Sequence, residues 1–303
     1  MTARPATRDL PPPYAARVRR GEPMSRHTSW HVGGPAEYWF EPQDRTDLMA
    51  FMRALPGDLP VHWVGLGSNL LVRDGGLRGV VIGTHGALGR LDRLSATLVY
   101  CEAGVPCARI ARQCIKWGLG PADLFAGNPG TLGGALAMNA GAFGGETWRH
   151  VRSVETVDRL GVQHSRQASE YTVSYRQVRA PVADEWYLAA TLEFEQRPGA
   201  DNAELKSLLT RRKDTQPIGE WSCGSVFTNP PGDHAARLID TAGLKGFRIG
   251  GAAVSDKHAN FIINAGDATA ADLEQLIEHV QRVVEQRHGV RLAPEVRIVG
   301  EPA

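Results

Sequence analysis

The chain has 303 residues, enough for a substantial core and two or three domains. Its 34 Lys and Arg against 33 Asp and Glu give a net charge of +1, which leaves no basic footprint for nucleic acid, and no apolar run approaches a membrane span. Thirty-four glycines, against a usual share of about 7%, favour loop-rich ligand sites over a helical bundle.

Residues 1–24 are rich in Arg and Pro and lack the apolar stretch of a secretory signal, so they read as a disordered arm. His27–Phe40 reads as a turn feeding a short aromatic strand. The spacing of Leu48, Phe51, Met52 and Leu55 predicts an amphipathic helix over Thr46–Leu55, stopped by Pro56 and Gly57. Val61–Val64 reads as a buried strand, followed by Gly65-Leu-Gly-Ser-Asn69 and the apolar run Leu70–Val72. Because this GxG does not open a helix, it is neither a Rossmann fingerprint nor a Walker loop. It reads as a strand–nest–strand able to hold a pyrophosphate through successive N–H groups, and equally as a plain turn. Cys101, Cys107, Cys114 and Cys223 show no CxxC pair and read as free thiols of a reducing cytoplasm. Cys107 and Cys114 fall on the inner face of a helix predicted over Pro106–Trp117.

The barest stretch runs from Gly127 to Glu146, with seven glycines between Gly127 and Gly145. Bare backbone allows positive φ and lets main-chain N–H groups approach a bulky ligand. Met138, Asn139 and Phe143 interrupt it with groups suited to a flat aromatic ligand, so the stretch reads as a backbone-lined cofactor wall, with a close-packed small-residue helix as the competing account. Strands over Val151–Asp158 and Trp186–Phe194 flank Tyr171–Arg176. Taken alone, Arg176 reads as an exposed arginine. Polar composition at Ala200–Asn202 marks a domain boundary, and a basic helix spans Glu204–Lys213. Ser225 follows a glycine but lacks the GxSxG pattern of a hydrolase elbow. The clearest helix is Ala270–Arg287, with a capping box at Thr269 and Asp272 and a stop at Gly289. Glu295 starts the last strand.

Four stretches in order resemble one family: Thr28–Gly34 with Gly65–Val72, Gly127–Glu146, Cys223–Pro230, and Ser255–Asn264 with Pro294–Arg297. The sequence is similar to the UDP-N-acetylenolpyruvoylglucosamine reductases, or UDP-N-acetylmuramate dehydrogenases, in the shorter form that lacks an extra substrate-capping loop. The resemblance implies an α+β chain with a two-part FAD-binding region of the vanillyl-alcohol-oxidase (PCMH) type over 25–200, split near 90, and an α+β substrate-binding domain over 201–303. It implies non-covalent FAD, NADPH as electron donor, no metal, a nucleotide-sugar substrate of peptidoglycan synthesis, and a cytoplasmic monomer. The cofactor contacts it implies are Gly65, Gly67, Ser68, Asn69 and Leu70 in the nest, with Asn128, Pro129, Gly130, Gly133, Gly134, Asn139, Ala140 and Gly141 in the wall. The catalytic residues it implies are Arg176, Ser225 and Glu295. Lys213, Asn229 and Lys257 are the substrate-binding candidates.

Overall fold

A computed structural model of the chain describes residues 10–199 and 202–303. Its first layer is a four-stranded sheet ordered Arg19–Pro23, Pro35–Phe40, Leu77–Gly83 and Val61–Val64. The last three of these run parallel. Parallel strands covered on both faces carry continuous apolar runs, and Val80, Val81 and Ile82 are all fully buried. Helix Arg45–Ala54 covers one face. Asp44 caps it by accepting from the Asp47 N–H, and Phe51 stacks on Phe40 with ring centroids 3.7 Å apart.

The expectation of a disordered arm over 1–24 is corrected from residue 10 onward. Arg19–Pro23 pairs antiparallel with Pro35–Phe40, Leu10, Val18 and Met24 are buried, and the Tyr14 ring meets Phe40 and Phe51 edge-on. Leu10, Tyr14 and Val18 are single apolar residues in an Arg- and Pro-rich background, so no window of sequence shows their shared face. Residues 1–9 lie outside the described residues.

The second layer is a five-stranded antiparallel sheet ordered Gln163–Gln167, Val151–Asp158, Glu185–Glu193, Leu98–Glu102 and Leu91–Arg93. Helices Cys107–Lys116 and Leu132–Met138 share one core with it, which holds Val154, Leu192, Ile110 and Leu136. Cys101, Cys107 and Cys114 belong to this core as free thiols. Burial pushes all three thiols up, Cys114 to about 12, so they pack as small hydrophobes and carry little thiolate.

The third unit packs helices Ala235–Thr241 and Ala270–His288 on a sheet ordered Trp221–Ser222, Ile262–Asn264, Ala252–Val254 and Arg248–Ile249. The long helix has the capping box expected of Thr269 and Asp272, and Gly289 closes it at φ +68. This unit is interlocked with the first. Trp30, Val32 and Leu71 sit in its core. The Trp30 Nε1 donates to Ile262 O at 2.8 Å, and Asn264 Nδ2 donates to Trp30 O at 2.8 Å. Strand Arg297–Val299 runs parallel to Leu70–Val72. The Asp74 carboxylate accepts from the Ala270 and Ala271 N–H groups, capping the long helix from outside the unit, and Arg73 forks onto Glu274. The polar step at Ala200–Asn202 falls largely outside the described residues. Among the described residues no helix is long and apolar enough to cross a membrane.

Candidate active site

A cleft of about 700 Å³ opens where the three units meet. The nest forms one wall. Strand Val61–Val64 ends at Gly65, and Gly67 takes φ +60. A Cβ on Gly67 would stand 1.9 Å from His27 O, and one on Gly65 would stand 2.3 Å from Thr131 Oγ1. Both glycines are thus required for packing against neighbouring backbone and side chain, as well as for access to a ligand.

The glycine-rich stretch forms the facing wall, and its residues divide into two sets. Asn128, Pro129, Gly130, Gly134, Ala140 and Gly141 line the cleft with Ser68, Asn69 and Leu70. Asn128 Oδ1 accepts from the Gly130 N–H at 2.9 Å, while its buried Nδ2 has no partner among the described residues. A Cβ on Gly134 would meet nothing within 4 Å. An orphaned donor beside open backbone is what a polar, flat ligand such as FAD requires, so the residues present fit that cofactor. Gly133 instead turns toward Ala103, 3.1 Å from the position its Cβ would take, and is a packing glycine.

The expectation that Asn139 meets a cofactor edge is also corrected. Asn139 caps helix Leu132–Met138 in the left-handed conformation (φ +47, ψ +52) and is fully buried. Its Nδ2 donates to Ser174 O and Glu146 Oε2, and its Oδ1 accepts from the Trp148 N–H. The side chain is consumed by protein, and the residue's service to the site is its main-chain carbonyl, which accepts from Arg176.

Arg176 occupies the tip of the hairpin Thr172–Ser174 and Gln177–Arg179, at φ +56. A non-glycine residue there carries strain on the order of 1–3 kcal/mol. That conformation turns the side chain inward. Nη2 donates to Gly141 O at 2.9 Å, Nη1 to Asn139 O at 3.4 Å, and Nε lies 3.1 Å from Glu295 Oε1. The exposed arginine favoured by local sequence is therefore a cleft residue. Its Nε–H lacks hydrogen-bond alignment with Glu295 despite the short distance.

Burial pushes the Glu295 carboxyl above its ordinary value, and the Arg176 cation pulls it part of the way back. A carboxyl raised by folding keeps its proton after the unfolded chain has released its own. Its contribution to stability is therefore lost as pH rises from the ordinary value through the raised one. Glu295→Gln is expected to remove that loss, gaining stability relative to wild type as pH climbs above the usual carboxyl range. Melting temperatures of both proteins between about pH 4 and pH 8 test this, and a constant difference across that range contradicts it.

Ser225 follows Gly224, which takes φ +82, and lines the cleft with Glu295. Asn260 braces the segment behind it: Asn260 O accepts from the Val226 N–H, Oδ1 accepts from the Phe227 N–H, and Nδ2 donates to Phe227 O. Glu295 N–H donates to Val226 O at 2.7 Å, which sets serine and glutamate on adjoining backbone.

None of the three expected substrate contacts lines the cleft. Asn229 Oδ1 accepts from the Ala235 N–H at the start of helix Ala235–Thr241, and Lys257 Nζ donates to the main-chain O of Lys213 at 2.5 Å. The cations that do line it are Arg176, Arg211, Arg212 and Arg297, against the single carboxylate of Glu295. Arg212 donates to Gly127 O and, at 2.7 Å, to Gln216 Oε1, and burial pulls its pKa down. A cleft with this balance selects an anionic ligand. Sequence reasoning passed over these three arginines. The signal for Arg211 and Arg212 was the basic end of helix Asn202–Thr215, and Arg297 closes the Pro294–Arg297 stretch.

Comparison with known proteins agrees with this geometry. The FAD binding domain family matches residues 36–165, and the C-terminal domain family of UDP-N-acetylenolpyruvoylglucosamine reductase matches residues 216–299. The UDP-N-acetylenolpyruvoylglucosamine reductase of Alkalilimnicola ehrlichii is 61% identical, covering 94% of this chain and 95% of its own. That of Methylococcus capsulatus is 53% identical and covers 99% of both. The crystal structure of UDP-N-acetylenolpyruvylglucosamine reductase from Thermus caldophilus superposes with a TM-score of 0.81 at 31% identity, over 93% of this chain and 98% of that one. With its α+β fold, its FAD binding domain and that family's own C-terminal domain, the chain belongs to the UDP-N-acetylenolpyruvoylglucosamine reductases, a family of FAD-dependent oxidoreductases.

Proposed function

We propose that the protein reduces UDP-N-acetylglucosamine enolpyruvate to UDP-N-acetylmuramate with NADPH as electron donor. The observation that carries this reading is the convergence of Arg176, Ser225 and Glu295, from three separate segments, on a cleft lined by glycine-rich backbone. Family membership supports the substrate and the donor.

When bound, FAD would supply the two-electron chemistry, hydride transfer from the nicotinamide donor to the alkene carbon remote from the substrate carboxylate. Asn128, Gly134 and the main chain of the Gly65–Leu70 nest hold it in this reading. Charge then develops on the substrate carboxylate as an enolate, and Arg176 stabilises it at a half-buried position where such interactions are strong. Ser225 Oγ delivers the proton to the adjacent carbon. Glu295, raised by burial, hydrogen-bonds the enolate when protonated and orients Arg176 when ionised. Arg211, Arg212 and Arg297 are the cations we assign to the substrate phosphates.

Anaerobic titration with NADPH followed by the enolpyruvyl substrate tests the proposal. The flavin band of the holoenzyme is expected to bleach and then return. A band that NADPH leaves unchanged, or that stays bleached once substrate is added, overturns it.

A further inference from the structure

Asn69 closes the nest and lines the cleft, yet its side-chain nitrogen is turned onto protein. Nδ2 donates to the main-chain O of Glu295 at 3.0 Å and lies 3.3 Å from Met138 Sδ. The main-chain O of Asn69 accepts from the Arg297 N–H at 3.1 Å. On its other side Glu295 is held by the bond from its own N–H to Val226 O. Both peptide groups around Glu295 are thereby fixed, one to the residue that follows Ser225 and one to the nest. Only side-chain torsions remain, and the Arg176 Nε at 3.1 Å restrains those.

We infer that Asn69 is a positioning residue for Glu295, setting where the carboxyl stands relative to Ser225 and Arg176 by donating to the glutamate main chain. The inference rests on the role proposed above for Glu295. The chemistry calls for asparagine at this point. The position needs a planar side chain with a donor facing a carbonyl, and its two N–H groups reach the glutamate and the wall together. Aspartate keeps the shape, loses the donor and sets negative charge against the carbonyl. Alanine removes the link altogether. A carboxyl displaced by a fraction of an ångström matters because reaction rates fall about 10²-fold for misplacements near 1 Å.

The test uses the FAD-loaded enzyme as Asn69→Asp, Asn69→Ala, Glu295→Gln and the Asn69→Ala/Glu295→Gln pair. Expected results are a fall of about 10²-fold in flavin reoxidation by the enolpyruvyl substrate and in kcat, with FAD affinity, NADPH-driven reduction and substrate KM held within about threefold. The pair should be no slower than Glu295→Gln alone, because Asn69 acts through the glutamate. Amide hydrogen exchange supplies a readout without turnover. Residues 292–298 should exchange faster in both Asn69 variants, while Ala270–His288 stays protected. Loss of FAD affinity with both half-reactions slowed in parallel overturns the inference and makes Asn69 a cofactor ligand. Multiplicative losses in the pair, or unchanged exchange at 292–298, overturn it as well. Wild-type reoxidation in Glu295→Gln marks failure of the functional proposal instead, and the exchange result then decides the placement of Asn69 by itself.

Discussion

Ser225→Ala is expected to leave flavin reduction by NADPH close to its wild-type rate and to slow substrate turnover by roughly 10²–10⁴, the usual span for a lost general acid. At about 1.4 kcal/mol per decade, that is roughly 3–5 kcal/mol of transition-state stabilisation. The local structure makes the experiment clean. The segment is held by Asn260 through the main chain of Val226 and Phe227, and the Ser225 hydroxyl is not part of that brace. Removing one oxygen should therefore change stability by no more than about 0.5 kcal/mol. Ser225→Cys restores part of the rate, since a thiol also carries a proton. Stopped-flow traces separate the half-reactions. Wild-type reoxidation by substrate in the alanine variant rules out Ser225 as the proton donor, and parallel decline of both half-reactions with lower stability makes it structural.

Trp30→Ala is expected to cost about 3–5 kcal/mol of folding stability, the range for emptying a buried aromatic site. Trp30 is fully buried in the core of the C-terminal unit, although it lies in the N-terminal segment, and it donates to Ile262 O. The change removes the ring and orphans that carbonyl. A second consequence should appear in cofactor affinity. Ser29 N–H donates to Gly67 O, and His27 O lies against Gly67 Cα, so the segment that carries Trp30 also floors the nest. Chemical denaturation and FAD titration measure the two effects. A cost below about 1 kcal/mol shows that the C-terminal core closes without this residue.

The parts of the molecule legible in the sequence are those whose cause is local. The helix Ala270–His288 carries its stripe, its capping box and its stop within one window, and the prediction falls within a residue of the observed end. Helix Arg45–Ala54 and strand Val61–Val64 follow from spacing in the same way. Segments whose cause is remote were not legible. Residues 10–24 are ordered by Phe40 and Phe51, which local composition does not reveal. Asn139 has the chemistry of a ligand contact, but Trp148, Glu146 and Ser174 use all of it. Arg176 reads as exposed until the hairpin tip turns it onto Gly141 O. Arg212 and Arg297 become neighbours of the same cleft only through the fold.

The pairing of Leu70–Val72 with Arg297–Val299 bears on the order in which the protein is made. Those two segments form a two-stranded sheet of their own, with more than two hundred residues between them in the chain. On a ribosome the earlier strand emerges long before its partner has been translated. Until that partner arrives, the backbone that follows the nest has no ladder to hold it, and the capping carboxylate of Asp74 has no helix to cap. Sheets built from such distant pairs form slowly, because chain closure comes before any reward. The backbone that follows the nest is therefore settled only once residues 297–299 have been made and paired, and a cofactor held by that nest waits on the same event.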